Sequence, residues 1–194
     1  MRITTNDEFL RWAAERNIRP DTRYPPPCTL QFPQNFGTRR PLFPKGVNSA
    51  DDLKRSLRMV FDLMPAGPLW IWNRRGSWDF AMIEEAREFR KGFAFEMFDE
   101  EVYAAYRQMG IPNGEGALWF EENEHPLATA IVTLNRLMFN NYQDELFVVP
   151  RAAHLFLWFD IDDQVFINCA DATSLQLVTT KLGTDHAHSI KPGG

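Results

Sequence analysis

Three short apolar stretches near the C-terminal end place the tightest limit on how this chain can fold. They span residues 145–149, 153–159 and 164–169, and each is rich in Phe, Val, Ile or Leu. Apolar runs of this length and composition are typical of β-strands. Because only the short polar segment 160–163 separates the last two runs, we expect them to pair as an antiparallel hairpin, 153–169.

Helical patterns surround this β region. Thr5 and Glu8 match a helix-capping box, and Leu53, Leu57 and Val60 recur at the spacing of one helix face. Capping residues, apolar spacing and terminating Pro or Gly residues predict helices near residues 5–17, 49–64, 77–93, 99–110, 126–138 and 171–182. Further strands are predicted near residues 29–32, 69–72 and 117–121.

This mixture predicts a single α+β domain over residues 1–185, in which an antiparallel sheet packs against several amphipathic helices. A length of 194 residues is within the range of one domain. Residues 186–194 are polar and end in Lys-Pro-Gly-Gly, so we expect a flexible C-terminal tail.

The charge balance disfavours binding to nucleic acid. The formal net charge is −5, whereas neutralising phosphates requires a basic face. The pairs Arg39–Arg40 and Arg74–Arg75 are local exceptions, and they are interpreted as solvated turns. We therefore expect a macromolecular partner to be a basic protein, and the oligomeric state stays open.

The composition predicts a cytoplasmic protein. No apolar run follows the N-terminal residues and no stretch of 18 apolar residues occurs, so we expect neither a signal peptide nor a membrane span. Cys28 and Cys169 are far apart and lack the spacing of a metal site, so they are predicted to be reduced and buried.

Candidate catalytic residues cluster before the helix near residue 126. Glu121, Glu122 and His125 could perform acid–base chemistry or hold a divalent metal, and His154 could act as a base if it faced a carboxylate. The HExxH motif is absent, and acidic residues are in any case favoured where a helix begins. We therefore predict no metal and no cofactor.

Candidate binding residues lie in two other segments. Asp160, Asp162 and Asp163 place three carboxylates in one hairpin loop, although Asp is also a common turn residue. Trp70 and Trp72 would share one face of a strand, where they are either binding anchors or part of the core.

These observations favour a noncatalytic protein-binding module, such as an immunity or antitoxin protein that binds a basic partner. The alternative is a small hydrolase or metal-dependent enzyme that uses Glu121, Glu122, His125 or His154. The alternative requires these residues to converge in space, which the amino-acid sequence does not show.

Overall fold

The fold is a mixed α/β arrangement built on an antiparallel sheet, as the sequence predicted. The computed structural model describes residues 1–20, 29–34, 36–42, 50–74, 77–78, 104, 114–138, 145–160, 164–183 and 188–189. The principal helices are α1 (Asn6–Ala14), α2 (Ala50–Phe61), α3 (His125–Met138) and α4 (Ala172–Leu182). Within the described part of the chain, no helix is both long and apolar enough to cross a membrane.

The strands combine segments from both ends of the chain. They are β1 (Arg2–Thr4), β2 (Arg19–Pro20), β3 (Leu30–Gln31), β4 (Phe36–Pro41), β5 (Leu69–Asn73), β6 (Ser77–Trp78), β7 (Gly114–Glu115), β8 (Ala117–Phe120), β9 (Leu146–Pro150), β10 (Leu155–Phe159), β11 (Gln164–Cys169) and β12 (His188–Ser189). Eight of them form one sheet in the order β1-β8-β5-β9-β10-β11-β4-β12, and every pairing is antiparallel. The N-terminal strands β1 and β4 thus extend the sheet on opposite sides of the later strands.

The register of β10 and β11 agrees with the pairing predicted from their apolar runs. Leu155 lies opposite Cys169, and Phe159 lies opposite Val165. The connecting residues 161–163 lie outside the described residues. On its other side β11 pairs with β4 over six positions, from Gln164 opposite Pro41 to Cys169 opposite Phe36.

The sheet buries a different core on each face because successive side chains of a strand point in opposite directions. On one face, Leu69 and Ile71 belong to a core that also contains buried residues of α2, α3 and α4. We call this face, which packs against these three helices, the helix-covered face. On the other face, Trp70 and Trp72 belong to an aromatic core with Phe9 and Ala13 of α1. We call this second surface the aromatic face.

Local capping signals explain where the first and last helices begin. The Thr5 hydroxyl accepts a hydrogen bond from the Glu8 amide at 3.1 Å, which satisfies an amide that lacks a partner within α1. The Asp171 carboxylate accepts from the Ser174 amide at 2.7 Å and caps α4 in the same way. Both caps lie where the sequence predicted a helix to start.

Two local predictions were wrong. A helix was predicted to begin near residue 77, but Ser77–Trp78 is extended and pairs with Gly114–Glu115, while the Trp78 indole donates to the Gly116 carbonyl at 2.9 Å. The rest of this predicted helix, residues 79–93, lies outside the described residues. The pair Arg39–Arg40 was interpreted as a turn, but both residues lie within β4, because this segment completes the sheet beside β11.

The C-terminal segment also takes part in the sheet. His188 lies opposite Arg39 and the adjacent Ser189 lies opposite Thr38, which makes β12 an edge strand beside β4. Within the predicted tail, these two described residues are therefore paired with the rest of the fold. The neighbouring residues 184–187 and 190–194 lie outside the described residues.

Candidate functional site

The predicted carboxylate and histidine cluster lies where α3 begins, and two of its members, Glu121 and His125, make structural contacts. The Glu121 carboxylate accepts a hydrogen bond from the Trp119 indole at 2.7 Å. The His125 Nε2 atom lies 2.8 Å from the Gly67 carbonyl oxygen. Because a carbonyl only accepts hydrogen bonds, this ring nitrogen carries the proton and donates. The contact leaves His125 Nε2 unable to act as a base.

A third carboxylate in this region, Glu124, is paired with the amino group of Met1. The hydrogen bond from this amino group lowers the pKa of Glu124, and a hydrogen bond from the Glu121 amide acts in the same direction. Glu122 is exposed. Across the described residues, no group of three His, Cys, Asp or Glu side chains is arranged to hold a metal ion.

The half-buried residue His154 lies near Asp171, a carboxylate that the sequence suggested only as a helix cap. Hydrogen bonds from Ser174 chiefly lower the pKa of Asp171, and the nearby His154 lowers it further. Backbone pairing holds the two segments together, because the Ala170 amide donates to the His154 carbonyl at 2.9 Å. The structure therefore brings His154 near a carboxylate, but this carboxylate is already bound to the start of α4.

The free thiol Cys169 lies close to the same carboxylate. It is fully buried in the core, as the sequence predicted. Burial, with a smaller contribution from the charge of Asp171, raises the pKa of the thiol to about 12. Because the thiolate is the nucleophilic form, this environment makes Cys169 unreactive at neutral pH. The second cysteine, Cys28, lies outside the described residues.

Both candidate tryptophans lie beneath α1. Trp70 and Trp72 are each 3% exposed, and the ring of Phe9 lies 5.5 Å from each of their rings. The Trp72 indole also donates to the Asn6 side chain at 2.8 Å. With this packing, a partner could touch either ring only if α1 left the sheet.

Asp160 closes the β10–β11 hairpin. Its carboxylate accepts from the Gln164 amide at 2.9 Å, and its own amide donates to the Gln164 carbonyl at 3.0 Å. Asp162 and Asp163 lie outside the described residues, so their role in binding stays a prediction.

A row of aligned side chains crosses the aromatic face, and sequence reasoning singled out only Trp72 among its aromatic members. Trp72 lies opposite Phe147, Phe147 opposite Trp158, Trp158 opposite Phe166, and Phe166 opposite Arg39. The centroids of the successive rings are 5.7, 6.0 and 4.5 Å apart. Residues that lie opposite each other in a sheet share a face, so the four aromatic side chains form one continuous row that ends at Arg39. We call it the aromatic row.

A buried carboxylate orients the row at Trp158. Glu145, which is 7% exposed, accepts a hydrogen bond from the Trp158 indole at 2.9 Å. The second oxygen of Glu145 forms an ion pair with Arg74. Arg74 lies in a turn, as predicted, but it is half-buried because of this ion pair. The indole of Trp158 is therefore held in a defined orientation.

Exposure increases along the aromatic row. Trp72 and Phe147 are buried, Trp158 and Phe166 are half-buried, and Arg39 is exposed. Two half-buried polar residues close the hairpin beside the stacked rings, Asp160 after β10 and Gln164 at the start of β11. We call Trp158, Phe166, Arg39, Asp160 and Gln164 the hairpin patch. Trp158 and Phe166 lie opposite each other within the predicted hairpin, whereas Arg39 joins them through the pairing of β11 with β4, which are far apart along the chain.

Comparison with known proteins adds no functional assignment. No protein-family model, no curated protein and no solved structure matches this chain.

Proposed function

We propose that this protein is a noncatalytic binding module of the cytoplasm, of the immunity or antitoxin type, and that it binds a basic protein. The hairpin patch is the surface that we assign to this partner. The single observation that carries the proposal is the stacked, half-buried pair Trp158 and Phe166, whose ring centroids are 4.5 Å apart. In the same proposal, residues 1–185 act as one domain, with amphipathic helices packed on the sheet.

The composition of the hairpin patch supports a protein partner. Interface centres are enriched in aromatic residues and Arg, and their most important residues are surrounded by polar groups. Here Trp158 and Phe166 form the centre, while Arg39, Asp160 and Gln164 surround them. Because Glu145 already orients Trp158, little side-chain entropy would be lost when a partner covers this ring.

The charge distribution supports a basic partner. The chain carries a net charge of −5, and the acidic segment that begins at Asp160 adjoins the aromatic rings. Complementary charges at the rim of an interface accelerate association and exclude partners of the same charge. The exposed Glu121 and Glu122 add negative charge to the surface as a whole.

The enzymatic alternative has one observation in its favour, the proximity of His154 and Asp171. Against it, the Asp171 carboxylate caps α4, the neighbouring thiol is protonated at neutral pH, and His125 donates to a backbone carbonyl. The contacts of the candidate residues thus favour binding over catalysis.

The test is affinity capture from the native host with the parent and with Trp158→Ala. Met59→Ala is the control, because Met59 is a large apolar residue on α2 that is 43% exposed. We expect a stoichiometric basic protein to bind the parent and the control but not Trp158→Ala. Circular dichroism tests whether each variant is folded. If Trp158→Ala does not fold, Phe166→Ala is used in its place.

The proposal would be wrong if folded Trp158→Ala and Phe166→Ala both retained the partner with unchanged affinity. A captured protein that is acidic would contradict the charge argument but leave the aromatic surface in place.

A further inference from the structure

Two neighbouring arginines of β4 occupy opposite environments. Arg39 lies opposite Phe166 and is exposed on the aromatic face. Arg40 lies opposite Val165, whose side chain belongs to the core of the helix-covered face. Arg40 is only 6% exposed. The guanidinium of Arg40 is thus a cation enclosed on the helix-covered side of the sheet.

Two of the three guanidinium nitrogen atoms of Arg40 lack a hydrogen-bond partner among the described residues. Its Nε and Nη1 atoms are buried, and neither donates a hydrogen bond to any described group. Burial lowers the pKa of Arg40, although arginine stays charged in proteins. A buried charge without hydrogen bonds or a counter-ion is strongly unfavourable.

The buried carboxylate of the described core does not serve Arg40. Glu145 is bonded to Arg74 and to Trp158, which place it at the aromatic row on the other face of the sheet. The core beside Arg40 is apolar, with Leu42 and Ile167 among its fully buried members. Among the described residues, neither Nε nor Nη1 of Arg40 thus has an acceptor.

We propose that Arg40 binds an oxyanion, namely the carboxylate or phosphate group of a small ligand, on the helix-covered face of β4. The N–H groups of a guanidinium match the oxygen atoms of both anions, and such hydrogen bonds are strengthened by charge. The inference does not rest on the proposed binding of a protein partner, because the hairpin patch and Arg40 lie on opposite faces of the sheet.

The direct test follows the Arg Nε–H signals of the ¹⁵N-labelled protein by NMR. Sodium phosphate and sodium acetate are added separately, and sodium chloride at equal ionic strength is the reference. Arg40→Lys identifies the Arg40 signal, because lysine lacks the Nε–H group. We expect this signal to shift saturably with at least one oxyanion. A shift with phosphate alone indicates a phosphate site, and a shift with acetate alone indicates a carboxylate site.

The signal of Arg39 is an internal control, because this exposed neighbour experiences the same salt. A saturable shift of Arg40 without a matching shift of Arg39 supports the proposal. No shift of Arg40 with either anion, or equal unsaturable shifts of both arginines, would overturn it.

A second test measures thermal stability and needs no signal assignment. If Arg40 lacks an internal partner, Arg40→Met should raise the melting temperature in chloride, and the oxyanion should stabilise the parent but not this variant. Arg39→Gln should respond to the anion as the parent does. Binding of the anion to Arg40→Met should be at least about ten-fold weaker, because a hydrogen bond to a charged group contributes about that factor or more. A lower melting temperature of Arg40→Met in chloride would show that Arg40 is paired within the chain and would overturn the proposal.

Discussion

Hydrogen bonds to single residues decide which polar side chains are available for chemistry. His125 donates to Gly67, Glu121 accepts from Trp119, and Asp171 accepts from Ser174. Each contact stabilises a local connection between elements, such as the start of a helix. Conversely, Trp158 gains a defined orientation from Glu145 and keeps part of its ring exposed. Glu121 and His125, two of the candidate catalytic residues, thus make structural hydrogen bonds, and Trp158 combines a fixed orientation with partial exposure.

The buried thiol allows a prediction about reactivity. In a Cys28→Ser background, we expect Cys169 to resist thiol reagents at pH 8 until the protein unfolds. A rise of the thiol pKa from 9.0 to about 12 lowers the thiolate fraction by a factor on the order of a thousand. The measurement compares labelling rates in buffer and in denaturant. Rapid labelling in buffer while circular dichroism stays native would contradict the burial of Cys169.

The same thiol makes stability depend on pH at the alkaline end. Because the pKa of folded Cys169 is raised, the unfolded chain loses this proton first as the pH rises. The contribution of the Cys169 thiol to the free energy of unfolding is complete below about pH 9 and is lost between about pH 9 and pH 12. Cys169→Ala should therefore show a smaller decrease in the free energy of unfolding over this interval, as measured by urea denaturation.

The carboxylate of Glu145 should matter for stability as well as for orientation. We expect Glu145→Ala to reduce the free energy of unfolding by about 1–3 kcal/mol, because the Trp158 indole and Arg74 lose a shared acceptor. Glu145→Gln keeps one acceptor oxygen and should cost less. Glu122→Ala is the control, since an exposed side chain of this kind contributes within about 0.5 kcal/mol. Equal urea midpoints for Glu145→Ala and Glu122→Ala would show that the buried network is not formed.

At the scale of elements, apolar faces join the helices to the sheet. Leu53, Leu57 and Val60 of α2 are fully buried with residues of α3 and with the helix-covered face. Their spacing of three and four residues places them on one side of the helix. Met59, on the same helix, is largely exposed. One element thus contains both a core position and a matched surface position.

Because Leu57 is buried and Met59 is largely exposed, we expect truncation of these two α2 side chains to change stability by different amounts. Leu57→Ala should destabilise the fold by about 2–5 kcal/mol, because truncation of a core leucine removes apolar burial and leaves a cavity. Met59→Ala should change the free energy of unfolding by no more than about 0.5 kcal/mol. Chemical denaturation of both variants measures the difference. Similar values for the two would mean that α2 packs through another face.

At the scale of the whole molecule, the sheet separates two surfaces with different chemistry. The aromatic face ends in the hairpin patch, where a protein partner is proposed. The helix-covered face encloses the guanidinium of Arg40, where an oxyanion is proposed. Because β4 contributes Arg39 to one side and Arg40 to the other, each surface can be altered without changing the other.

The net negative charge leads to a prediction about association kinetics with the captured partner. Changing Asp160, Asp162 and Asp163 together to Asn should slow association more than it speeds dissociation, because charges at the rim act mainly by long-range attraction. High salt should reduce the difference from the parent, since charges are screened over about 8 Å at physiological ionic strength. Stopped-flow rates at low and high salt provide the measurement. If neither the substitutions nor the salt alters the association rate, these carboxylates serve only the turn.

Local sequence determined the type of most described elements, and tertiary structure decided what surrounds their side chains. Apolar spacing and caps predicted α1, α2 and α4, and the apolar runs predicted β9, β10 and β11, because these signals depend on neighbours within a few residues. The aromatic row also depends on how β5 and β4, which lie far away along the chain, pair with the consecutive strands β9, β10 and β11. The opposite environments of Arg39 and Arg40 arise because β4 pairs with β11 and exposes one side of the strand while helices cover the other. Pairing between distant segments is set by the packing of the complete sheet, so no local pattern contained either feature.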